Sequence, residues 1–226
     1  MQPQVYTQSQ ALERSDAAKV LRNTYALLAM TVLFSAVTAG FSMAIEMSRG
    51  VSLMCSLGAL ALVWFVLPRT ANSASGIGVV FAFTGLLGAS IGPMLNHYLS
   101  LSGGSQIVMQ ALGTTALIFF ALSAYVLTTR KDFSFMSGFL FVGLIAVLVC
   151  AIGMMIAGFF GVHMPLASVA LSGVIALLFS GFILYDTSRI VHGGETNYIM
   201  ATTSLYLNIL NLFTSLLHII GFASDD

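Results

Sequence analysis

Charged residues are scarce in this chain of 226 residues, and their scarcity excludes several classes of protein. Lys, Arg, Asp and Glu together make up 7% of the residues, whereas a soluble domain carries about 25%. The eight basic and eight acidic residues cancel, so no net charge favours a polyanion and we predict no nucleic acid partner. The two cysteines, Cys55 and Cys150, match no metal motif, and both lie in apolar segments where we expect no structural disulfide.

Motifs that mark several enzyme classes are also absent from the sequence. It contains no His-Glu-x-x-His motif of a metalloprotease and no Gly-x-Ser-x-Gly turn of an esterase nucleophile. The lysines lie outside the apolar segments, which excludes a retinal Schiff base, and the histidines lie on different segments and form no metal-ligand cluster. The lysines are Lys19 and Lys131, and the histidines are His97, His163, His192 and His218. We therefore predict no catalytic residues, no metal, no cofactor and no enzymatic activity.

Long uncharged intervals separate the few charges and have the length of membrane-spanning helices. A helix needs roughly 20 apolar residues to cross a hydrocarbon core of about 30 Å. Three intervals hold one helix each, and two longer intervals hold two helices each, with breaks at 96–105 and 158–165. We therefore predict an all-α membrane protein, a bundle of seven transmembrane helices. The predicted spans are 24–45, 51–68, 76–96, 105–128, 134–158, 164–187 and 199–221.

The segment before the first span is rich in Gln, Ser and Ala and carries charges of both signs. This composition is typical of a flexible tail, so we predict a cytosolic N-terminal tail at 1–22 and a transmembrane domain at 23–226. A cytoplasmic N-terminus places every basic residue except Arg49 on the cytoplasmic side. The positive-inside rule therefore predicts a multi-pass protein whose N-terminus is cytoplasmic and whose C-terminus lies on the other side.

Small residues of the third span recur at helical spacing. Gly88 and Gly92 form a Gly-x-x-x-Gly pair, and Gly85 lies one turn earlier on the same face. Small residues at this spacing let helix backbones approach each other closely, so we predict tight helix packing along this face.

Five polar residues of the last span form one stripe, because they are separated by four, three, four and three residues. Unpaired amides in hydrocarbon cost several kcal/mol, so this face should point into the bundle or toward water. Two interpretations remain open: the stripe makes hydrogen bonds between helices, or it lines a polar pathway. The stripe consists of Ser204, Asn208, Asn211, Ser215 and His218.

Asp186 directly follows a long uncharged run at 164–185. Arg189 lies three residues later on the same helical face, so one interpretation is an ion pair at the membrane boundary. The other is a partly buried acid that serves as a proton or cation site. Arg69, beside Pro68 at the end of the second span, is either a topology anchor or a partner of Asp186.

Several short runs carry a family resemblance. They include Thr128-Thr129-Arg130-Lys131-Asp132, Leu184-Tyr185-Asp186-Thr187, His192-Gly193-Gly194-Glu195-Thr196-Asn197-Tyr198 and Ser204-Leu205-Tyr206-Leu207. Together these runs resemble the Bax inhibitor-1 family, also called the transmembrane Bax inhibitor motif family, and within it the bacterial modulators of the protease FtsH. The resemblance covers nearly the whole chain and implies the seven-helix fold of that family.

The resemblance implies two functions of different kinds. The modulators bind FtsH, a membrane-anchored, ATP-dependent zinc protease, and restrain its attack on membrane proteins. This implies a regulatory protein of the bacterial inner membrane, with the FtsH complex as its partner and the lipid bilayer as its surroundings. Other bacterial members behave as pH-sensitive calcium leaks, so the alternative is a calcium or cation leak with calcium as the ligand.

The resemblance also assigns candidate residues. In the leaks, a carboxylate pair bridges the sixth and seventh helices, and an arginine of the second helix engages it. Asp186 matches the first carboxylate, Asn208 stands where many members have the second, and Arg69 matches the arginine in a poorly matching context. Since an amide cannot share a proton, and Ca²⁺ prefers several anionic oxygens, Asn208 weakens the leak hypothesis and leaves the modulator hypothesis unchanged.

Overall fold

The computed structural model describes residues 3–224, with side chains described from Asp16 to Ser224. Within that range the regular structure is helical, and seven helices are long and apolar enough to cross a membrane. The predicted all-α bundle of seven transmembrane helices is therefore confirmed. The helices are α1 (Pro3–Ala44), α2 (Arg49–Thr70), α3 (Ser75–Leu99), α4 (Gly104–Thr129), α5 (Ser134–Phe159), α6 (Pro165–Val191) and α7 (Tyr198–Ser224).

The first helix begins much earlier than its predicted span. α1 starts at Pro3 and so includes most of the segment at 1–22 that the composition assigns to a flexible tail. The reason is that no glycine or proline lies between Gln4 and Ala39, so nothing in the chain stops the helix. Among the described side chains, burial begins at Thr24, which agrees with a core that starts after residue 22. The division into a tail and a transmembrane domain stays a prediction, because the side chains before Asp16 lie outside the described residues.

The second helix contains a widened turn. Residues Leu62–Val66 form a π-helical turn, in which the N–H of Leu67 bonds to the carbonyl of Leu62 five residues earlier. Pro68 follows directly and lacks an N–H, so the regular α-helical ladder is interrupted at this point. The helix resumes at Leu67–Thr70 and ends in the short turn before α3.

The chain divides into two compact units. The first contains α1, α2 and α3 together with the segment Ile190–Tyr206, which includes the start of α7. The second contains α4, α5 and α6, within Leu101–Arg189, together with α7 from Leu207 onward.

In the first unit, the glycine face of α3 packs directly on α1. A β carbon at Gly85 would lie 2.7 Å from the Phe34 ring, and one at Gly88 would overlap the Ser35 carbonyl and the Thr38 hydroxyl. A β carbon at Gly92 would overlap the Ser42 side chain in the same way. The Gly-x-x-x-Gly pair therefore marks a close helix contact, as its spacing predicts.

In the second unit, α5 packs on α6 through a small apolar cluster. Leu140 and Val147 of α5 are buried against Leu178 of α6. Gly143 faces Leu178, and Gly181 of α6 faces Leu140, so each glycine makes room for a leucine of the other helix. Most other large apolar side chains of α5 are exposed, as expected for a helix that faces lipid.

The α1–α3 contact predicts a position-specific loss of stability. Gly88→Ala should lower the free energy of unfolding by about 1–3 kcal/mol, because the added methyl group overlaps backbone and hydroxyl atoms of α1. Gly78→Ala is the matched control on the same helix, since nothing lies within 4 Å of its β position. There the change should be neutral or slightly stabilising. The thermal midpoints of the two variants can be measured in detergent micelles by circular dichroism. Equal midpoints of Gly88→Ala and Gly78→Ala would contradict the described packing.

Candidate functional site

The centre of the candidate site is a buried hydrogen bond between α6 and α7 in the second unit. The Asn208 Nδ2 donates to the Asp186 Oδ2 at 2.8 Å. Asp186 is 8% exposed and Asn208 is 4% exposed, and the next residues of α6, Thr187 and Ser188, are fully buried. The structure thus brings together the two residues that the family resemblance singles out.

The chemistry of this pair differs from that of two carboxyl groups. A buried carboxylate needs hydrogen-bond donors, and a bond from an amide to a charged acceptor contributes roughly 1.5–3 kcal/mol. The Asn208 amide keeps its donor at every pH, whereas a carboxyl group at the same place donates only when it is protonated. The pair therefore carries at most one negative charge and exchanges at most one proton.

The position of Asp186 bears on its two interpretations. Asp186 is buried, which is the environment that a proton or cation site within the bundle requires. Arg189 lies one turn later, and its guanidinium is 5.7 Å from the centre of the Tyr185 ring. The role of Asp186 in proton or cation binding stays a prediction.

Two members of the α7 stripe bond to side chains of α6. Asn208 bonds to Asp186, and His218 Nε2 lies 3.3 Å from the Ser168 Oγ. The Ser168 hydroxyl donates its only proton to the Pro165 carbonyl at 2.7 Å, so the His218 nitrogen is the donor in this pair. These bonds link helices, as the first interpretation of the stripe requires. A polar pathway along the stripe stays a prediction.

The other stripe residues are satisfied more locally or lie against the core. The Asn211 amide donates to the Leu207 carbonyl of its own helix at 2.8 Å. Ser215 is buried, and Ser204 is half-buried and belongs to the first unit. The stripe is therefore not one continuous ladder of bonds between helices.

Arg69 belongs to the first unit and is exposed near the end of α2. Its Nη1 donates to the carbonyl of Phe65, one turn earlier in the same helix. This carbonyl lies in the π-helical turn that precedes Pro68. Engagement of the Asp186–Asn208 pair by Arg69 stays a prediction.

Sequence reasoning missed a buried polar cluster in the first unit, centred on Tyr206. The Tyr206 hydroxyl donates to the Thr84 carbonyl at 3.3 Å and lies 2.6 Å from the Ser35 Oγ, which is the donor in this second bond. The Tyr206 ring also meets Phe83 edge-on, with 5.7 Å between centroids. One signal was available: the hydroxyl residues of α1 recur at helical spacing. They are Thr24, Thr31, Ser35, Thr38 and Ser42.

Asn197 gives the run His192–Tyr198 a structural role that the sequence did not reveal. Its Oδ1 accepts from the backbone N–H of Ile199 at 2.9 Å and of Met200 at 3.2 Å, which caps the start of α7. Its Nδ2 donates to the Ala71 carbonyl at 2.9 Å and to the Asn72 Oδ1 at 2.8 Å. One side chain therefore fixes α7 to the turn between α2 and α3.

Comparisons with known proteins identify relatives over nearly the whole chain. A family model described as "Inhibitor of apoptosis-promoting Bax1" matches residues 17–225. An uncharacterized membrane protein of Vibrio cholerae is 50% identical over 227 residues, covering 100% of both chains. The protein named modulator of FtsH protease YccA in Escherichia coli K12 is 50% identical over 208 residues, 92% of each chain. An uncharacterized protein of Pseudomonas aeruginosa is 44% identical over 227 residues, again covering 100% of both chains.

The geometry predicts unequal effects for two amides of the same stripe. Asn208→Ala should lower the free energy of unfolding by about 1–3 kcal/mol, because the buried Asp186 loses a donor. Asn211→Ala removes only a bond within α7, so it should lower the free energy of unfolding by about 1 kcal/mol or less. Thermal midpoints of the two variants in the same detergent provide the measurement. A loss for Asn211→Ala as large as that for Asn208→Ala would show that the Asp186 bond has no special weight.

Proposed function

The chain belongs to the Bax inhibitor-1 family, and we propose that it is an inner-membrane regulatory protein that binds the FtsH protease and restrains it. The observation that carries this proposal is the 50% identity, over 92% of each chain, to the Escherichia coli protein named as a modulator of FtsH protease. The proposal includes a cytoplasmic N-terminus, a C-terminus on the opposite side and a regulatory role without catalysis.

The fold limits where such a partner can bind. Within residues 3–224 the connections between helices are short, so the described part contains no globular head outside the membrane helices. In this described part, the surfaces that a membrane-anchored protease can meet are the lipid-facing helix surfaces, the short loops and the N-terminal segment of α1. The exposed apolar face of α5 is the kind of surface that transmembrane helices of a partner contact.

The N-terminal segment is also suited to be the part that a ring-shaped unfoldase engages. Such an enzyme needs a handle that can be unfolded without first breaking the core. Among the described side chains from Asp16 to Asn23, none is buried, so this stretch adds little packing to the bundle. We propose that residues 1–21 provide the handle.

Deletion of residues 1–21 tests the handle directly. In cells containing FtsH, the shortened protein should persist longer than the full chain, while its thermal midpoint after purification stays close to the original. A chain in which residues 2–21 are scrambled is the matched control, because it keeps the length and composition of the segment. Co-purification with FtsH from native membranes tests the interaction itself. Equal lifetimes of the shortened and full chains would rule out the handle. If FtsH does not co-purify with this protein, the proposal as a whole is contradicted.

A second candidate function, a pH-sensitive calcium or cation leak, is supported by the buried Asp186–Asn208 pair. A carboxylate held by an amide inside a transmembrane bundle provides one anionic oxygen site for a cation. A second carboxylate would make the site more favourable for Ca²⁺, which prefers several anionic ligands. The first function is therefore the better supported of the two.

Purified protein in liposomes loaded with a calcium indicator tests this second function. Any flux should depend on Asp186 and disappear in Asp186→Asn. Asn208→Asp should increase the flux and make it pH-dependent, because two carboxyl groups at hydrogen-bond distance share one proton rather than ionise together. Asn211→Asp is the matched control, since it adds a carboxyl group one turn away, where the wild-type amide bonds to its own helix. A flux equal to that of empty liposomes between about pH 5 and 8 in both the parent and Asn208→Asp would eliminate the leak.

A further inference from the structure

An open pocket of about 470 Å³ lies in the first unit, where α1 ends and α2 begins. The neighbouring part of α3 closes one wall, and the Asn96 Nδ2 fixes that wall to α1 by donating to the Met43 carbonyl at 3.1 Å. Because the pocket lies at the ends of membrane-spanning helices, it lies at the boundary between hydrocarbon and water. Its lining includes Met43, Glu46, Met47, Arg49, Pro93 and Asn96.

Glu46 occupies a backbone position that does not favour glutamate. The N–H of Glu46 bonds to the Met43 carbonyl, and the N–H of Met47 bonds to the Ser42 carbonyl, both at 3.1 Å. This pattern is the Schellman motif at a helix C-terminus, in which the residue at the place of Glu46 adopts a left-handed conformation and is usually glycine. Glu46 has φ 49°, a left-handed conformation that is unfavourable for a residue with a β carbon. Backbone geometry therefore does not explain why a glutamate is present.

Arg49, the first residue of α2, lines the same pocket with the opposite charge. Within the described part of the chain, neither Glu46 nor Arg49 makes an ion pair or a side-chain hydrogen bond. Both side chains are exposed, so in a protein with 7% charged residues the pocket presents two opposite charges to a ligand.

Apolar side chains complete the surroundings. Met43, Met47 and Pro93 line the pocket beside the two charges. Because the pocket lies at the ends of membrane-spanning helices, this apolar part of its lining borders the acyl-chain region of the bilayer. A ligand with a charged head and an attached acyl chain matches this combination of charged and apolar side chains.

We propose that the pocket binds a phosphate joined to a primary ammonium, as in the headgroup of an ethanolamine phospholipid. The Arg49 guanidinium would bind the phosphate oxygens, which is the pairing its planar donors favour. The Glu46 carboxylate would accept hydrogen bonds from the ammonium. A choline headgroup carries the same charges but has no N–H to donate, and a glycerol headgroup has no cation to place against Glu46.

Lipid competition on the intact protein tests this site. The full chain is placed in nanodiscs containing equal amounts of phosphatidylethanolamine, phosphatidylcholine and phosphatidylglycerol, and the retained lipids are identified by native mass spectrometry. Ethanolamine lipid should be retained about three- to fivefold over choline lipid, the size expected for exposed charge contacts. Glu46→Gln and Arg49→Gln should each abolish the preference. Equal retention of ethanolamine and choline lipid by the parent protein would overturn the proposal. An unchanged preference in the two variants would overturn it as well.

Two further variants separate the pocket from general effects of charge and folding. Asp16 and Lys19 form an exposed ion pair on α1 with the same three-residue separation, at 3.3 Å. The double substitution Asp16→Asn with Lys19→Gln removes these two charges and should leave the preference intact. Glu46→Gly should abolish the preference and yet raise the thermal midpoint, because glycine relieves the left-handed strain. A Glu46→Gly protein that keeps the preference contradicts the role of the carboxylate.

The same headgroup chemistry occurs in a soluble molecule, glycerophosphoethanolamine. Added to the nanodiscs at millimolar concentration, it should not displace the retained ethanolamine lipid, because it lacks the acyl chains that contact the apolar surface. Displacement of the lipid would overturn the assignment to a phospholipid and assign the pocket to the soluble compound.

Discussion

The interior of a bilayer offers no hydrogen-bond partners, and this constraint accounts for most of the polar geometry of this protein. Many hydroxyl groups donate to a carbonyl in the preceding turn of their own helix. Examples are Thr31 to Leu28, Thr115 to Ala111 and Ser180 to Ala176. These bonds satisfy polar groups without fixing one helix to another. The few side chains that bond across helices are therefore the ones that define the arrangement of each unit.

Two of the cross-helix bonds occur where backbones approach closely or where a carboxyl group is buried. In the first unit, Ser35 and Tyr206 meet beside the glycine face of α3, where the missing side chains let α1 come close. In the second unit, Asn208 and Asp186 meet at the buried end of α6. In both pairs, a buried polar side chain bonds to a side chain of another helix. Tyr206 and Asn208 lie two positions apart on α7, and each has a buried polar partner, Ser35 and Asp186 respectively.

The fold was largely predictable from the sequence, and the site was predictable only in part. Uncharged intervals of membrane-spanning length determine the number of helices, because charges are expelled from hydrocarbon. The start of α1 was not predictable from polarity, since polar residues of high helix propensity extend a helix as readily as they form a tail. Asp186 and Asn208 were paired by resemblance to a family. The contacts of Tyr206 and Asn197 join segments more than a hundred residues apart, and no local pattern in one sequence encodes them.

Three features together support a role in restraining FtsH: a membrane-embedded bundle, a relative named for its effect on FtsH, and an N-terminal segment without buried side chains among its described residues. The most direct measurement of this role is the rate at which purified FtsH degrades a membrane-protein substrate in proteoliposomes, with and without this protein at equal molar amount. We expect slower degradation of the substrate when the protein is present. An unchanged rate, in proteoliposomes where both proteins are shown to be inserted, would contradict this role.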